Sequence, residues 1–425
     1  MAGGAVRHTR AASVPVEAIF RELANHFEDV FWIDRSYIGG VSYLGTGTKL
    51  DPSAGFGLWQ IDGELPVERV GWTGFGAAAE SLELDDSGEN EANHAMLRVS
   101  SLIEFDQQNH EISVVSITET EMHKTLSDLL DSVTDEPAAE TEIEPSQALW
   151  RDSVDEYAAK IAECKERIAN GDVYQLCLTT SCEVPGVFDA ATIFRRLRAS
   201  SPTAHNAFIR IGGTALLSSS PETFLSIRGN RASTSPIKGT RPRGADLVSD
   251  MVMREELIES KKEQAENLMI VDLCRNDLAT VSKTGTVRVD SLLAVESFST
   301  VHQLVSTISG EIAEGVKPSE VVRALFPAGS MTGAPKHRAV TILRNLESGR
   351  RGIYSGVYGF AGDGALSLAM TIRSIVIDSR GASIGVGGGI TSDSDPAQEI
   401  VEVGVKAAAL LSALGAAPNP YLHSE

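Results

Sequence analysis

The sequence predicts a mixed α/β protein of the α+β type, with large and mainly antiparallel sheets. Three observations carry this. Short alternating apolar runs follow one another with only turns between them, as in NAFIRIGG and TALLSSS. Two long segments, Met253 to Leu278 and Pro396 to Leu414, are rich in helix formers. Strands and helices do not alternate as βαβ units, which excludes a doubly wound sheet.

Taken in order, residues 1 to about 14 are expected to form a loose tail. From Val16 to about Ser132, apolar runs such as WIDRSYIGGVSYLG, GFGLWQIDG and HEISVVSITE predict strands and hairpins with a helix or two. Asp131 to Gln147 is acidic, contains proline and lacks aromatics, the composition of an exposed linker. The chain thus divides into an N-terminal α/β region (1–130), a linker (131–149) and a catalytic region (150–425). Tyr157, Ile161, Cys164 and Ile168 recur at helical spacing, and Asn170-Gly171 supplies the stop. VYQLCLTTSCEV then alternates like a strand. Further strands are predicted in GIYSGVYGFAG, LSLAMTIRSIVID and ASIGVGGGI.

The net charge is −21 over 425 residues. That opposes general binding to nucleic acid or to an anionic membrane, both of which need a basic surface. An anionic substrate would need a local basic pocket. The cysteines, Cys164, Cys177, Cys182 and Cys274, match no zinc spacing and make no disulfide framework. Reduced, buried thiols are expected. No apolar run reaches membrane-spanning length, and the N-terminus lacks an apolar signal core, so a cytoplasmic location is expected.

Glu263 and Glu266 share one helix face, and Glu399 and Glu402 share another. A solvated surface explains either pair alone. If the two helices face each other, four carboxylates converge and repel unless a cation sits between them. Mg²⁺, with oxygen ligands and open positions for a substrate oxyanion, is the natural occupant. Gly385 to Ile390 contains three successive glycines that would let backbone N–H groups approach an anion, although a flexible turn reads equally well. AGSMTGAPKHR lacks the spacing of a nucleotide phosphate loop, yet Ser330, Thr332 and Lys336 offer donors. Arg373 is expected mid-strand, paired with a structural or a ligand carboxylate. Lys238, in STSPIKGTRPRG, is expected between a strand end and a Gly-Thr turn.

These motifs carry a resemblance. SPETF, PIKGTRPRG, ENLMIVDLCRND, HQLVSTISG, GSMTGAPKHRA, MTIRS and GGGI, in that order from about Trp150 onward, resemble the chorismate-utilising enzymes. That family includes the anthranilate, aminodeoxychorismate, isochorismate and salicylate synthases. The resemblance implies a sandwich of sheets with helices outside and an active site in the central cleft. Within the family, PIKGT is similar to the aminodeoxychorismate synthases. Anthranilate- and isochorismate-type enzymes are expected to carry Ala where Lys238 stands. By that likeness Lys238 is a covalent nucleophile toward chorismate and Glu222 protonates the departing hydroxyl. Attack requires an uncharged amine, and departure of hydroxide requires a general acid. The resemblance further implies Glu266 and Glu402 as direct Mg²⁺ ligands, with Glu263 and Glu399 behind them. Ser330, Thr332, Thr240, Arg373 and Lys406, with the N–H groups of Gly387, Gly388 and Gly389, would hold the substrate.

The chain also departs from the family pattern. Where relatives often carry His directly before LVS, this chain has Gln303, with His302 one place earlier. Cys177 stands where relatives often have Asn. No LLES-type motif for tryptophan inhibition is apparent. None of the cysteines sits in a glutaminase elbow, so free ammonia or a separate glutamine amidotransferase subunit is expected as nitrogen source. Anthranilate synthase component I, isochorismate synthase and a silent chorismate-binding subunit remain the alternative readings.

Overall fold

A computed structural model describes residues 5–61, 63–82, 94–134 and 146–422. Two sheets, of 12 and 10 strands, stack face to face with helices outside them. The packing follows from strand periodicity. In His205–Ile211, Phe208 points into a core shared with the outer helices, while Ala207 and Ile209 point into the core between the sheets. Leu176, Leu178, Cys182 and Val184 likewise face the outer helices. The expected antiparallel sandwich is therefore the observed architecture.

The first 130 residues are built into both sheets. Val30–Asp34 pairs with His205–Ile211 in the larger sheet, and Arg69–Thr73 pairs with Val357–Gly362 in the smaller one. The expected loose tail is corrected here: Val6–Ala11 is an edge strand antiparallel to Glu111–Ser116. Its polar sequence hides it, because an edge strand in water needs no apolar face. Arg7 pairs with Glu104 and Thr9 bonds Ser113 across the ladder. GFGLWQIDG is not a strand either; Pro52–Leu58 forms short 3₁₀ turns that bury Phe56. Of the expected linker, residues 135–145 lie outside the described residues. Asp131 and Ser132 end a helix, and Ser146–Gln147 pairs with Ala416–Ala417.

The expected helix Met253–Leu278 is two helices, Leu247–Glu259 and Lys261–Ala279. Ser260 between them is extended, at φ −65° and ψ 99°. Continuous helix-forming composition masked the serine, a residue that favours helix starts. An Asp246–Ser249 capping box opens the first helix. The helices Val154–Ala169 and Pro396–Leu414 lie where the sequence places them.

A buried ion pair braces the cleft floor. Arg351 donates from Nε to Glu347 Oε2 at 2.9 Å and from Nη2 to Oε1 at 2.7 Å. Its remaining hydrogens reach Met331 O at 2.7 Å, Ser355 Oγ at 3.3 Å and Cys177 O at 2.8 Å. Glu347 Oε1 also accepts from Thr179 N at 3.0 Å. Three segments are thereby tied to one fork of charge. Removing one partner of such a pair leaves a buried charge uncompensated. Arg351→Met should lower unfolding stability by about 3–5 kcal/mol, measured by urea denaturation.

Candidate active site

Two of the chain's crossings between the sheets run side by side. The chain leaves the larger sheet after Thr214–Ser220 and enters the smaller one at Thr223–Arg228, so Glu222 sits in the crossover. It returns between Ala365–Met370 and Ser374–Asp378, so Arg373 sits in the second. The crossovers are bonded to each other, Ser219 N to Arg373 O at 3.0 Å and Met370 N to Glu222 O at 3.0 Å. Arg373 is therefore not mid-strand as expected; its φ of 49° marks the turn between sheets. Its guanidinium makes no hydrogen bond or ion pair among the described residues. Burial lowers the guanidinium from its usual value, and Tyr354 and Glu402 partly offset this.

Glu222 is buried, and Ser330 Oγ donates to its Oε1 at 2.8 Å. Desolvation raises its carboxyl above the usual range, and Ser330, Lys238 and Lys406 only partly offset this. A raised carboxyl keeps its proton to higher pH, the direction a general acid needs.

Lys238 lies in strand Ile237–Pro242, not beside a turn. Ile237 pairs with Val305 and Thr240 with Gln303, so Lys238 and Gly239 together oppose Leu304 alone. This is a β-bulge, a device that re-aims a side chain. Gly239, at φ +92°, makes it possible: a Cβ there would lie 2.7 Å from Leu257 Cδ1. Lys238 Nζ is placed 3.4 Å from where a Cβ on Gly389 would stand.

The glycine stretch is the second half of strand Gly381–Ile390, not a loop after a strand. Cys177 N donates to Thr332 O at 2.8 Å, and Cys177 O accepts from Arg351. Thr179 likewise bonds Glu347 and Arg151. Both residues turn their backbone groups away from the glycine strand. Their register partners, Gly389 and Gly387, therefore turn theirs toward the opposite edge. The neighbour on that edge, Ser374–Asp378, reaches only Ile384, so the edge is open there. Gly387 and Gly389 thus present N–H groups at this edge, whereas Gly388 bonds inward toward Leu178. Lys406 Nζ donates to Gly387 O at 2.7 Å. A Cβ on Gly385 would strike the Tyr354 ring at 2.1 Å.

Three of the four carboxylates approach one another. Lys262 Nζ stands 3.2 Å from Glu399 and 4.0 Å from Glu266. Lys406 pairs with Glu402 at 2.6 Å. Glu263 is instead taken by Arg241, at 2.9 Å. Burial raises Glu266, with repulsion from Glu399 and Glu402 adding to it against Lys238 and Lys262. Glu402 is half-exposed, and Lys406, Lys238 and Lys262 outweigh its desolvation, so its carboxyl falls below the usual range. Among the described residues no group of three or more His, Cys, Asp or Glu stands at metal-ligating spacing. The donor chemistry nevertheless fits a divalent cation, and Lys262 holds the position of a positive charge between the two helices.

Other assigned residues divide. Thr332 spends its hydroxyl on Ala328 O at 3.0 Å, and Thr240 is exposed. Lys336 is buried, bonded to Asp277 at 2.6 Å and Leu325 O at 3.0 Å. His302 is buried between Ser297 and Asp250, on the strand face opposite Gln303. Burial pushes the Cys164, Cys182 and Cys274 thiols up to about 12 and also raises Cys177, so none is a ready nucleophile. Two site residues carried little signal in the sequence. Tyr354, in GIYSG, is buried with its ring against Gly385. Gln175 is fully buried beside Gly389, and neither amide atom has a hydrogen-bond partner in the described structure.

A family description, chorismate binding enzyme, matches residues 53–412. The chain belongs to that family. It is 46% identical over 267 residues to an aminodeoxychorismate synthase of Streptomyces pristinaespiralis, covering 62% of this chain and 37% of that one. It is 39% identical over 261 residues to anthranilate synthase component 1 of Streptomyces coelicolor, covering 61% of this chain and 51% of the relative. The chain thus spans well under two thirds of these relatives. Among solved structures, anthranilate synthase component I from Streptococcus pneumoniae shares the fold, with TM-score 0.75 and 23% identity over 95% of this chain and 92% of that one. The menaquinone-specific isochorismate synthase from Escherichia coli matches at TM-score 0.77 and 17% identity, over 97% and 95%. Among the described residues no helix is long and apolar enough to cross a membrane.

Two outcomes follow from this geometry. Gly239→Ala should cost about 1–3 kcal/mol, because a side chain there meets Leu257 and Glu263 at a strained φ; chemical denaturation measures it. Ser330→Ala should move the Glu222 titration further up, since it removes a bond that favours the ionised form. Infrared absorption of the protonated carboxyl against pH, assigned with Glu222→Gln, reads the shift.

Proposed function

We propose that this chain aminates chorismate to 4-amino-4-deoxychorismate, the step toward p-aminobenzoate and folate. The single observation that carries the reading is the placement of Lys238: a bulge aims its amine into the cleft that holds Glu222, Arg373 and the open glycine edge. In the reaction the uncharged Lys238 amine adds to C2 as the C4–O bond breaks. Glu222 gives its proton to the departing hydroxyl, which leaves as water. Ammonia then forms a bond to C4 while the C2–N bond breaks, and the lysine amine is restored. The incoming nitrogen's surplus proton returns the Glu222 carboxylate to its acid form. The net change is chorismate plus ammonia to product plus water.

Arg373, without a partner among the described residues, and Tyr354 suit one substrate carboxylate. The Gly387 and Gly389 N–H groups suit another anionic oxygen. Gln175, with both amide atoms open and Lys238 nearby, suits the incoming ammonia. Magnesium would be held by Glu266 and Glu402, with Glu399 and, once released from Arg241, Glu263 behind them. When bound it would neutralise the ring carboxylate. The ammonia would come from solution or from a separate glutamine amidotransferase subunit, in keeping with the raised thiols.

The test is direct. The protein is incubated with chorismate, Mg²⁺ and ammonium, and an aminodeoxychorismate lyase is added afterwards. p-Aminobenzoate appearing only with the lyase is the expected result. Anthranilate formed directly would identify an anthranilate synthase, and unconsumed chorismate a silent subunit. Lys238→Ala should lower the rate by about 10²-fold or more, the scale of losing a catalytic group, while Mg²⁺ binding by calorimetry persists.

A further inference from the structure

Strand Val301–Glu311 has a bulge on each flank, and one buried side chain is bonded toward both. On one flank Lys238 and Gly239 together oppose Leu304. On the other, Ser291 pairs with Thr307 and Ala294 with Val305, so Leu292 and Leu293 together oppose Ser306. The side chain is Asn267 of helix Lys261–Ala279, fully buried, as Ser306 is. Its Nδ2 donates to Leu304 O at 3.3 Å. Its Oδ1 accepts from Ser306 Oγ at 2.6 Å, and that hydroxyl oxygen accepts from Leu293 N at 2.9 Å. Alternate residues of an antiparallel strand turn their backbone groups to the same neighbour. Ser306 N donates to Pro236 O, so Leu304 O points to the same strand, at the Lys238 bulge. Leu293 holds φ at 53°, an uncommon angle for a residue with a side chain, and its N–H is the one Ser306 takes.

We propose that Asn267 is a positioning residue for Lys238: its amide ties both bulges to helix Lys261–Ala279 and so fixes where the lysine amine stands relative to Glu266, the preceding residue of that helix. The inference rests on the reading of Lys238 as the nucleophile. The two contacts ask for a donor and an acceptor on one short fork, which asparagine supplies. Aspartate has the same shape but would set an oxygen against Leu304 O. Arg241 and Glu263 join the same strand and helix at 2.9 Å, but that pair is partly exposed, and the magnesium reading draws Glu263 away from it. The Asn267 link is buried and independent of it. A reacting group displaced by about 1 Å can lose about 10²-fold in rate, so a bond set back from the chemistry still governs it.

The test compares the whole chain with Asn267→Asp, which loses the donor and keeps the shape, and with Ser306→Ala, which cuts the other arm without adding charge. Hydrogen exchange read by mass spectrometry should speed up in both Ile237–Pro242 and Arg288–Ser297, and stay unchanged in His205–Ile211 of the larger sheet. In folded protein given chorismate without ammonia, adduct formation on Lys238, followed by the mass of its peptide, should slow by about 10²-fold in Asn267→Asp, the scale of roughly 1 Å of misplacement. The chorismate concentration giving half the maximal rate should not change. A side chain that only stabilised the fold would leave the adduct rate of folded protein unchanged. That result, or unchanged exchange in either bulged segment, overturns the proposal. Absence of any adduct in the unchanged protein would instead remove the nucleophile reading, with the exchange pattern still deciding whether Asn267 ties the bulges.

Discussion

The site depends on two chain crossings made at the same place. A sheet fixes its side chains to alternate faces, so it cannot easily gather groups from two layers into one pocket. Here two of the passages between sheets lie together and bond to each other through Ser219, Arg373, Met370 and Glu222. An acid and a guanidinium are held in register by backbone bonds. Their placement is therefore as firm as the sheets themselves. The Arg351–Glu347 pair braces the adjoining strand and the Ser330 turn from beneath.

On this frame the electrostatics divide into zones. Glu222 is buried and raised, and Glu402 is lowered by the lysines around it. Carboxyl groups pushed in opposite directions within one cleft are the mark of a functional site. Against the chain's large negative charge, Lys238, Lys406 and Arg373 gather positive charge around the cleft.

Much of this was legible in the sequence because the chemistry sits in short contiguous motifs. The helices Val154–Ala169 and Pro396–Leu414 announced themselves by period, and the acidic pairs by spacing. What stayed hidden depends on pairing between distant segments. The bulge at Lys238 exists only opposite Leu304. The parity that opens Gly387 and Gly389 but closes Gly388 is set by where Cys177 and Thr179 find their bonds. Lys336 read as a ligand donor because no local pattern reveals Asp277, 59 residues away. Arg373 read as mid-strand because an apolar run looks the same whether or not the chain changes sheets within it.

His302 and Gln303 occupy successive positions of one strand, one sealed against Ser297 and Asp250 and the other facing Thr240. Transposing two neighbours in such a ladder exchanges what each layer sees while leaving composition and length untouched. Relatives with divergent chemistries could thus lie a pair of codons apart along this stretch. Overall percent identity would barely register the difference.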